Sequence, residues 1–381
     1  MKSGSIDPHP STVAAVRRRL TAWYAKNKRD LPWRRTKDPY VVLVSEVMLQ
    51  QTQVETVLPY FAKFLERFPT AADLAAAEEE EVFRRWAGLG YYRRARNLHR
   101  AAKEVVEGRG GVFPERREDL LALPGVGPYT AGALASIAFD RAEPLVDGNV
   151  ERVLARVFAV GEDLSKSAGK KRIWSLAERL VPEESPGDFN QALMELGAVV
   201  CVPLGPKCAS CPLRGVCRAE SAKTIELHPV KSRNGRRERI EEVVLMVCAG
   251  DSWLVADSND EGLYRGLWQF PWKWTTPAAP ARARILRELG EAFGLEAASA
   301  PCVAEVRHAV TFRSITARFH SVDLSEGRKG KERALEPHAS RSGTRRVLFL
   351  DPEEILNLPM PAYQKRTFQK LSRERESRKP G

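Results

Sequence analysis

No stretch of this chain approaches 18 consecutive uncharged apolar residues, so no helix-length membrane span is expected. Met1 to Pro10 has no apolar signal core, and the expectation is a cytoplasmic protein. Cysteine is scarce. Six among 381 residues, with no secretory segment, argue against a disulfide framework. Lysine is missing from the whole stretch 104–165, although the chain carries 61 Lys and Arg. Internal repeats are also lacking, which removes the solenoid and propeller folds.

What is present is an ordinary globular composition, 43% hydrophobic and 29% charged. The length allows two cores but not three. Lys and Arg outnumber the 49 acidic residues to give +12, which suits a polyanionic partner without establishing one.

Residues 11–219 read as almost wholly helical. Asp38 can cap a helix that Pro39 starts and that runs to about Gln53. Further helices are expected over 55–67, 71–76, 79–87, 93–107, 115–122, 128–138, 149–159, 170–180 and 188–198. Gly88, Gly90, Gly110, Gly111, Pro124, Gly148 and Pro182 punctuate them. From 220 to 239 the periodicity stops, and the apolar-free run Lys231 to Arg239 reads as an exposed basic linker.

After 240 the texture changes. Glu242–Cys248 and Trp253–Ala256 are strand-like, and Ile315, Ala317 and Phe319 alternate with Thr316, Arg318 and His320. Ala281 to Phe293 reads as a helix. The second domain, 240–370, is therefore expected to be α+β, followed by a charged, disordered tail over 371–381.

The most informative segment is Leu123-Pro124-Gly125-Val126-Gly127-Pro128-Tyr129-Thr130. It reads as a helix stop, a two-glycine turn and a helix start. Gly125 and Gly127 let the backbone turn sharply, and Pro128 fits the first helical position. Free N–H groups at such a start favour an anion, and a DNA phosphate is one. Some 20 residues past Gly127 stands Asp147, in Val146-Asp147-Gly148-Asn149-Val150. As a bare pattern this is a Gly-Pro turn between helices, with Asp147 a helix N-cap.

Four cysteines cluster: Cys201, Cys208, Cys211 and Cys217, spaced C-x6-C-x2-C-x5-C. Such a cluster in an intracellular chain calls for a metal centre. Only Cys208 and Cys211 form the short pair usual for zinc, and four thiolates also suit a [4Fe–4S] cluster. Chemistry alone leaves both open. Lys207, Arg214 and Arg218 beside the loop are either phosphate contacts or a solvated basic face. Cys248 and Cys302 sit in strand-like runs and are expected to be buried small hydrophobes.

The apolar run Val41 to Leu49 contains one charge, Glu46, whose helical neighbours are Val42, Leu43, Leu49 and Gln50. A carboxyl among aliphatic groups has a raised pKa, which makes Glu46 a general-acid candidate near neutral pH. A glutamate at the rim of a helix face is the plainer alternative. Asp147 is the second carboxylate. Two carboxylates with split pKa values can share work, one as the acid and one as the ionised group.

Leu120, Leu123, Gly125-Val126-Gly127, Ala131 and Leu134, with Asp147, resemble the helix-hairpin-helix of the base-excision DNA glycosylase superfamily. Ser45-Glu46-Val47-Met48-Leu49-Gln50-Gln51-Thr52-Gln53-Val54 resembles the signature of its MutY adenine glycosylase branch, and the cysteine spacing is that of the MutY and endonuclease III branches. The resemblance implies a [4Fe–4S] cofactor, Glu46 as the proton donor to adenine N7, Asp147 as the oxocarbenium stabiliser, and Tyr129 and Asn149 beside the sugar. Lyase-active relatives carry a Lys at the hairpin position held here by Tyr129, so a monofunctional enzyme that leaves an abasic site is implied. Gln51 resembles the intercalating wedge, with Leu49, Thr52 and Tyr91 around the opposite base. Arg34, after Leu31-Pro32-Trp33, matches a residue on the adenine side. Gly88-Leu89-Gly90-Tyr91-Tyr92 with Arg93, Arg94 and Arg96 combines stacking groups with phosphate contacts.

In that branch the second domain is similar to Nudix hydrolases and reads 8-oxoguanine. Around Leu286–Leu295 only remnants of the glutamate box remain, so no nucleotide hydrolysis is expected. The loop after His308 has Val310-Thr311-Phe312 where the family often has Phe-Ser-His, which puts the 8-oxoguanine preference in doubt.

The expected fold is thus an all-α helix-hairpin-helix glycosylase domain with an iron–sulfur loop (11–219), a linker (220–239) and a Nudix-like α+β domain (240–370). A monomer is implied, acting near the nucleoid on double-stranded DNA carrying A:8-oxoguanine or A:G mispairs, with no membrane partner. An endonuclease III-like enzyme for oxidised pyrimidines and a non-catalytic iron–sulfur DNA-binding protein are the alternatives.

Overall fold

The computed structural model describes residues 8–232, 238–258, 265–275, 279–310, 313–324 and 344–377. They fall into two compact units, one of residues 1–77 and 93–234, the other of 78–92 and 235–381.

The first unit is helical. Its elements are α1 (Pro10–Asn27), α2 (Pro39–Leu49), α3 (Val54–Arg67), α4 (Ala71–Ala76), α6 (Arg93–Arg109), α7 (Arg117–Leu121), α8 (Pro128–Ala133), α9 (Gly148–Val157), α10 (Ser167–Leu180), α11 (Pro186–Val199) and α12 (Arg218–Ser221). Helix α5 (Glu79–Trp86) belongs to the other unit. Local signals set most of these bounds. The Asp38 side chain accepts from the Tyr40 N–H and Pro39 opens α2, as expected. At α4 a reciprocal Thr70–Asp73 capping box does the same work. Because α2 is buried over Val42–Met48, it lies inside the unit rather than on its surface.

Three expectations are corrected here. The helix over 128–138 changes to a π turn at Leu134–Ala138, closed by an Arg141 N–H bond to Ala135 O. The stretch 220–232 is not a free linker. It contains α12, its Val230 carbonyl accepts from Leu164 N–H, and Lys231 pairs with Glu151 at 2.5 Å. These contacts lie far away in sequence, so composition alone read them as solvent. The expected disordered tail is helical to Glu376.

Among the described residues the second unit is built on a seven-stranded mixed sheet: β1 (Glu238–Ala249), β2 (Ser252–Ser258), β3 (Trp268–Gln269), β4 (Trp272–Thr275), β5 (Cys302–Val310), β6 (Arg313–Asp323) and β7 (Thr344–Leu350). Strand β1 is central, parallel to β6 and antiparallel to β2 and β4. It reads as a continuous apolar run because both faces are covered. Val243, Leu245 and Val247 pack with Ile285, Leu286 and Leu289 of α13 (Ala279–Glu291). The buried Glu242 accepts from the Tyr363 hydroxyl of α15 (Ala362–Glu376). Helix α14 (Pro352–Asn357) precedes α15. The α+β expectation holds for this unit. Cys302, expected to be buried, is exposed, because it opens edge strand β5. Among the described residues no helix is long and apolar enough to cross a membrane.

Candidate active site

Glu46 is almost completely buried on α2, and its carboxylate accepts from the Tyr129 hydroxyl at the start of α8. Burial pushes the Glu46 carboxyl up from 4.5 to about 7. The Tyr129 hydrogen bond opposes the rise, the negative charge of Asp147 adds to it, and Arg34 lowers it. The helix periodicity thus placed a carboxyl inside, and the hairpin supplied the donor that holds it. The Tyr129 hydroxyl also lies 3.5 Å from Met194 Sδ of α11.

Asp147 caps α9. Its Oδ1 accepts from the Val150 N–H at 2.7 Å, and its Oδ2 accepts from Asn149 Nδ2 at 2.9 Å. The capping and charge-bearing readings of Asp147 are therefore compatible. Burial raises its carboxyl as well, against those donors and Arg152. Asn149 Oδ1 in turn accepts from Arg152 Nη2 at 2.8 Å, and Arg152 Nε donates to the Cys201 carbonyl at 2.7 Å. This chain of hydrogen bonds needs close backbone approach. A Cβ on Gly197 of α11 would lie only 2.6 Å from the Asn149 Cβ, so glycine is required there.

Arg34 lies beside this group rather than at the surface. Its Nη2 donates to Glu195 Oε2 at 2.8 Å, and Arg29 Nε donates to Glu195 Oε1 at 2.8 Å. Glu195 is buried; burial works against its charge, yet the two guanidiniums hold it down at about 2. Sequence reasoning missed Arg29, Arg152, Met194, Gly197 and Glu195. Glu195 is the one it had a signal for, as a lone charge in the apolar stretch Ala192–Val200, the feature that marked Glu46.

Gln51 follows α2 at φ 58 with its side chain exposed, while Leu49 and Thr52 are partly buried. Gly125 and Gly127 form the turn before α8, Gly125 at φ 76. Tyr91 (φ 49, exposed) and His308 belong to the other unit, where His308 stacks on Tyr363 at 4.3 Å between ring centroids. Thr311 and Phe312 lie outside the described residues.

Cys201, Cys208, Cys211 and Cys217 line one cavity with Val153, Val157, Leu196, Val200 and Leu213. Among the described residues no three His, Cys, Asp or Glu side chains converge as they would on a single ion. The donor set is four sulfurs spread around an apolar recess, with Arg156 Nη1 3.5 Å from Cys201 Sγ. Four thiols around one recess fit a group held by four cysteines, such as a [4Fe–4S] cluster.

Residues 44–179 match the HhH-GPD superfamily of base excision DNA repair proteins, and residues 242–370 match a NUDIX domain. An adenine DNA glycosylase of Mus musculus is 36% identical over 423 residues, covering 97% of this chain and 80% of that protein. One from Homo sapiens is 53% identical over 216 residues, covering 54% of this chain. In such alignments the chain spans 40% of the human and 42% of the rat protein's length. A solved structure of a thermostable thymine-DNA glycosylase is 31% identical at a TM-score of 0.51, covering 56% of this chain and 98% of that one. The fold and site therefore define a helix-hairpin-helix base-excision repair protein with an appended Nudix domain. Within that class, the chain belongs to the adenine DNA glycosylase family.

Proposed function

We propose that this protein hydrolyses the N-glycosidic bond of adenine mispaired with 8-oxoguanine or guanine in double-stranded DNA and leaves an abasic site. The observation that carries the reading is the buried Glu46, hydrogen-bonded to Tyr129 and set beside a second carboxylate, Asp147. A carboxyl that titrates at about 7 is substantially protonated at neutral pH and can donate. In the proposed step Glu46 protonates adenine N7, and the C1′–N9 bond breaks with its electron pair leaving on the base. Asp147, fixed by Val150 and Asn149, stabilises the cationic sugar. Water adds to C1′ and gives its proton to the Glu46 carboxylate left by the first step. Tyr129 carries no amine, so no Schiff base with the sugar forms there.

Cys201, Cys208, Cys211 and Cys217 would hold a [4Fe–4S] cluster, which supplies a rigid four-point anchor for the loop when bound. The protein is read as a monomer, with Gln51 entering the duplex, Leu49, Thr52 and Tyr91 around the opposite base, Arg34 on the adenine side, and the Gly125–Gly127 hairpin on the backbone. His308 is assigned to recognition of the opposite base.

A single-turnover assay on duplexes with adenine opposite 8-oxoguanine, guanine and thymine, read with and without hot alkali, tests this. Alkali-dependent breaks at A:8-oxoguanine are the expected result. No cleavage of adenine by iron-loaded protein overturns the substrate assignment.

A further inference from the structure

Arg94 and Asn97 stand three residues apart on α6 and so share a face. Arg94 reaches across to the C-terminal turn of α2. Its Nη1 donates to Val47 O at 3.1 Å, to Met48 O at 3.0 Å and to Gln50 O, and its Nη2 donates to Thr52 Oγ1 at 3.2 Å. The last carbonyls of a helix have no partner within it, and a cation is favoured there. The same turn contains Gln51 at φ 58, a left-handed conformation that a residue with a side chain keeps only where its surroundings enforce it. One further contact ties this turn to the hairpin, and another ties α6 to it. Gln50 Nε2 donates to Thr130 Oγ1 at 3.3 Å, and Asn97 occupies the space beside Gly125, where an added Cβ would come within 2.4 Å of the Asn97 Cβ.

We propose that Arg94 is a positioning residue that clamps the 50–52 turn, so that Gln51 is already in the conformation that enters the duplex. Extrusion of the base, ahead of chemistry, then depends on Arg94. This rests on the proposed glycosylase function and on Gln51 as the inserted side chain. Arg94 acts through the turn, on the carbonyls of Val47, Met48 and Gln50 and on the Thr52 hydroxyl. A planar guanidinium can serve three carbonyls and a hydroxyl at once, whereas a lysine ammonium serves fewer.

The test uses full-length, iron-loaded wild type, Arg94→Met and Arg94→Lys. Hydrogen exchange of residues 49–54 is measured on free protein, because the Thr52 N–H bond to Leu49 O reports the turn directly. Burst amplitude and rate constant of adenine excision are measured with 2-aminopurine fluorescence of a duplex bearing that base at the target position. For R94M the expected result is exchange about tenfold faster over 49–54, an unchanged burst amplitude, a rate constant about tenfold lower, and a fluorescence rise reduced in parallel. R94K should fall between, and it carries the test if R94M does not fold. Wild-type exchange over 49–54 overturns the proposal. So does a lost burst amplitude with an unchanged rate constant, which reports folding alone. If wild type itself leaves adenine in place, the substrate reading fails instead, and the clamp is decided by the exchange of 49–54, which needs no excision.

Discussion

Glu46 keeps a carboxyl at five-per-cent exposure, and it can be tested in two ways. Because its carboxyl is raised from 4.5 to about 7, the acid form that donates is present below pH 7 and lost above it. The excision rate constant should therefore fall about tenfold per pH unit beyond pH 7, measured by single turnover at constant ionic strength. Linkage runs the same way. A raised carboxyl contributes stability that is fully present below pH 4.5 and lost as pH rises through about 7, up to about 3 kcal/mol. Glu46→Gln keeps the shape without that loss, so it should lose excision by about 10³-fold or more while melting higher than wild type at pH 8. Asp147→Asn should keep the α9 cap, since Asn also caps, yet lose excision by a similar factor, which separates the charge from the cap. Glu46 was legible because it is the lone charge in an apolar helix. Its partner Tyr129 lies 83 residues away, and no local pattern shows that the two meet.

At the scale of elements, close approach of backbones decides what side chains can do. Helix α11 seats the α9 start through Gly197, so Gly197→Ala must displace Asn149 or shift α11. It should lower stability by about 1–3 kcal/mol and the excision rate about tenfold, read by thermal melting and single turnover on the same sample. In the second unit Glu242 ties β1 to α15 through Tyr363, and burial raises its carboxyl to about 7. Glu242→Gln should therefore raise the melting temperature above pH 7 and change little at pH 5. Helix existence was legible through caps, Pro and Gly. The π turn at Leu134–Ala138 was not, because the same periodicity continues through it and only the packing of 136–145 against α11 closes the wider turn. Strands β3, β4 and β7 were missed as well. They are short or rely on pairing to β1 and β2 for their conformation.

For the molecule as a whole, the cysteine loop and the proposed active site share a helix. Arg152 and Arg156 of α9 donate to the carbonyls of Cys201, Val202 and Pro203, so the loop is anchored to the element that Asp147 caps. Cys211→Ala should abolish iron retention and iron–sulfur absorbance and lower the melting temperature by several degrees, since metal binding is coupled to folding. Retained iron and an unchanged melting curve would show that the four cysteines do not act together. The net charge of +12 was visible from composition, but which basic groups stay available was not. Arg29 and Arg34 are committed to Glu195, and Arg94 to the end of α2.

The sequence by itself determined the helical first unit, the turn before α8, the sulfur set and the two carboxylates. Each is written in local spacing, through caps, glycine conformation or helical periodicity. Tertiary structure alone decided which groups act together. The Glu46–Tyr129 pair, the Arg152 bond to the Cys201 carbonyl, the Glu195 ion pairs and the Arg94 bonds to the end of α2 and to Thr52 join residues 42 to 166 positions apart. Such partners are chosen by chain topology and by the cost of leaving buried polar groups unpaired, and neither leaves a mark in local pattern.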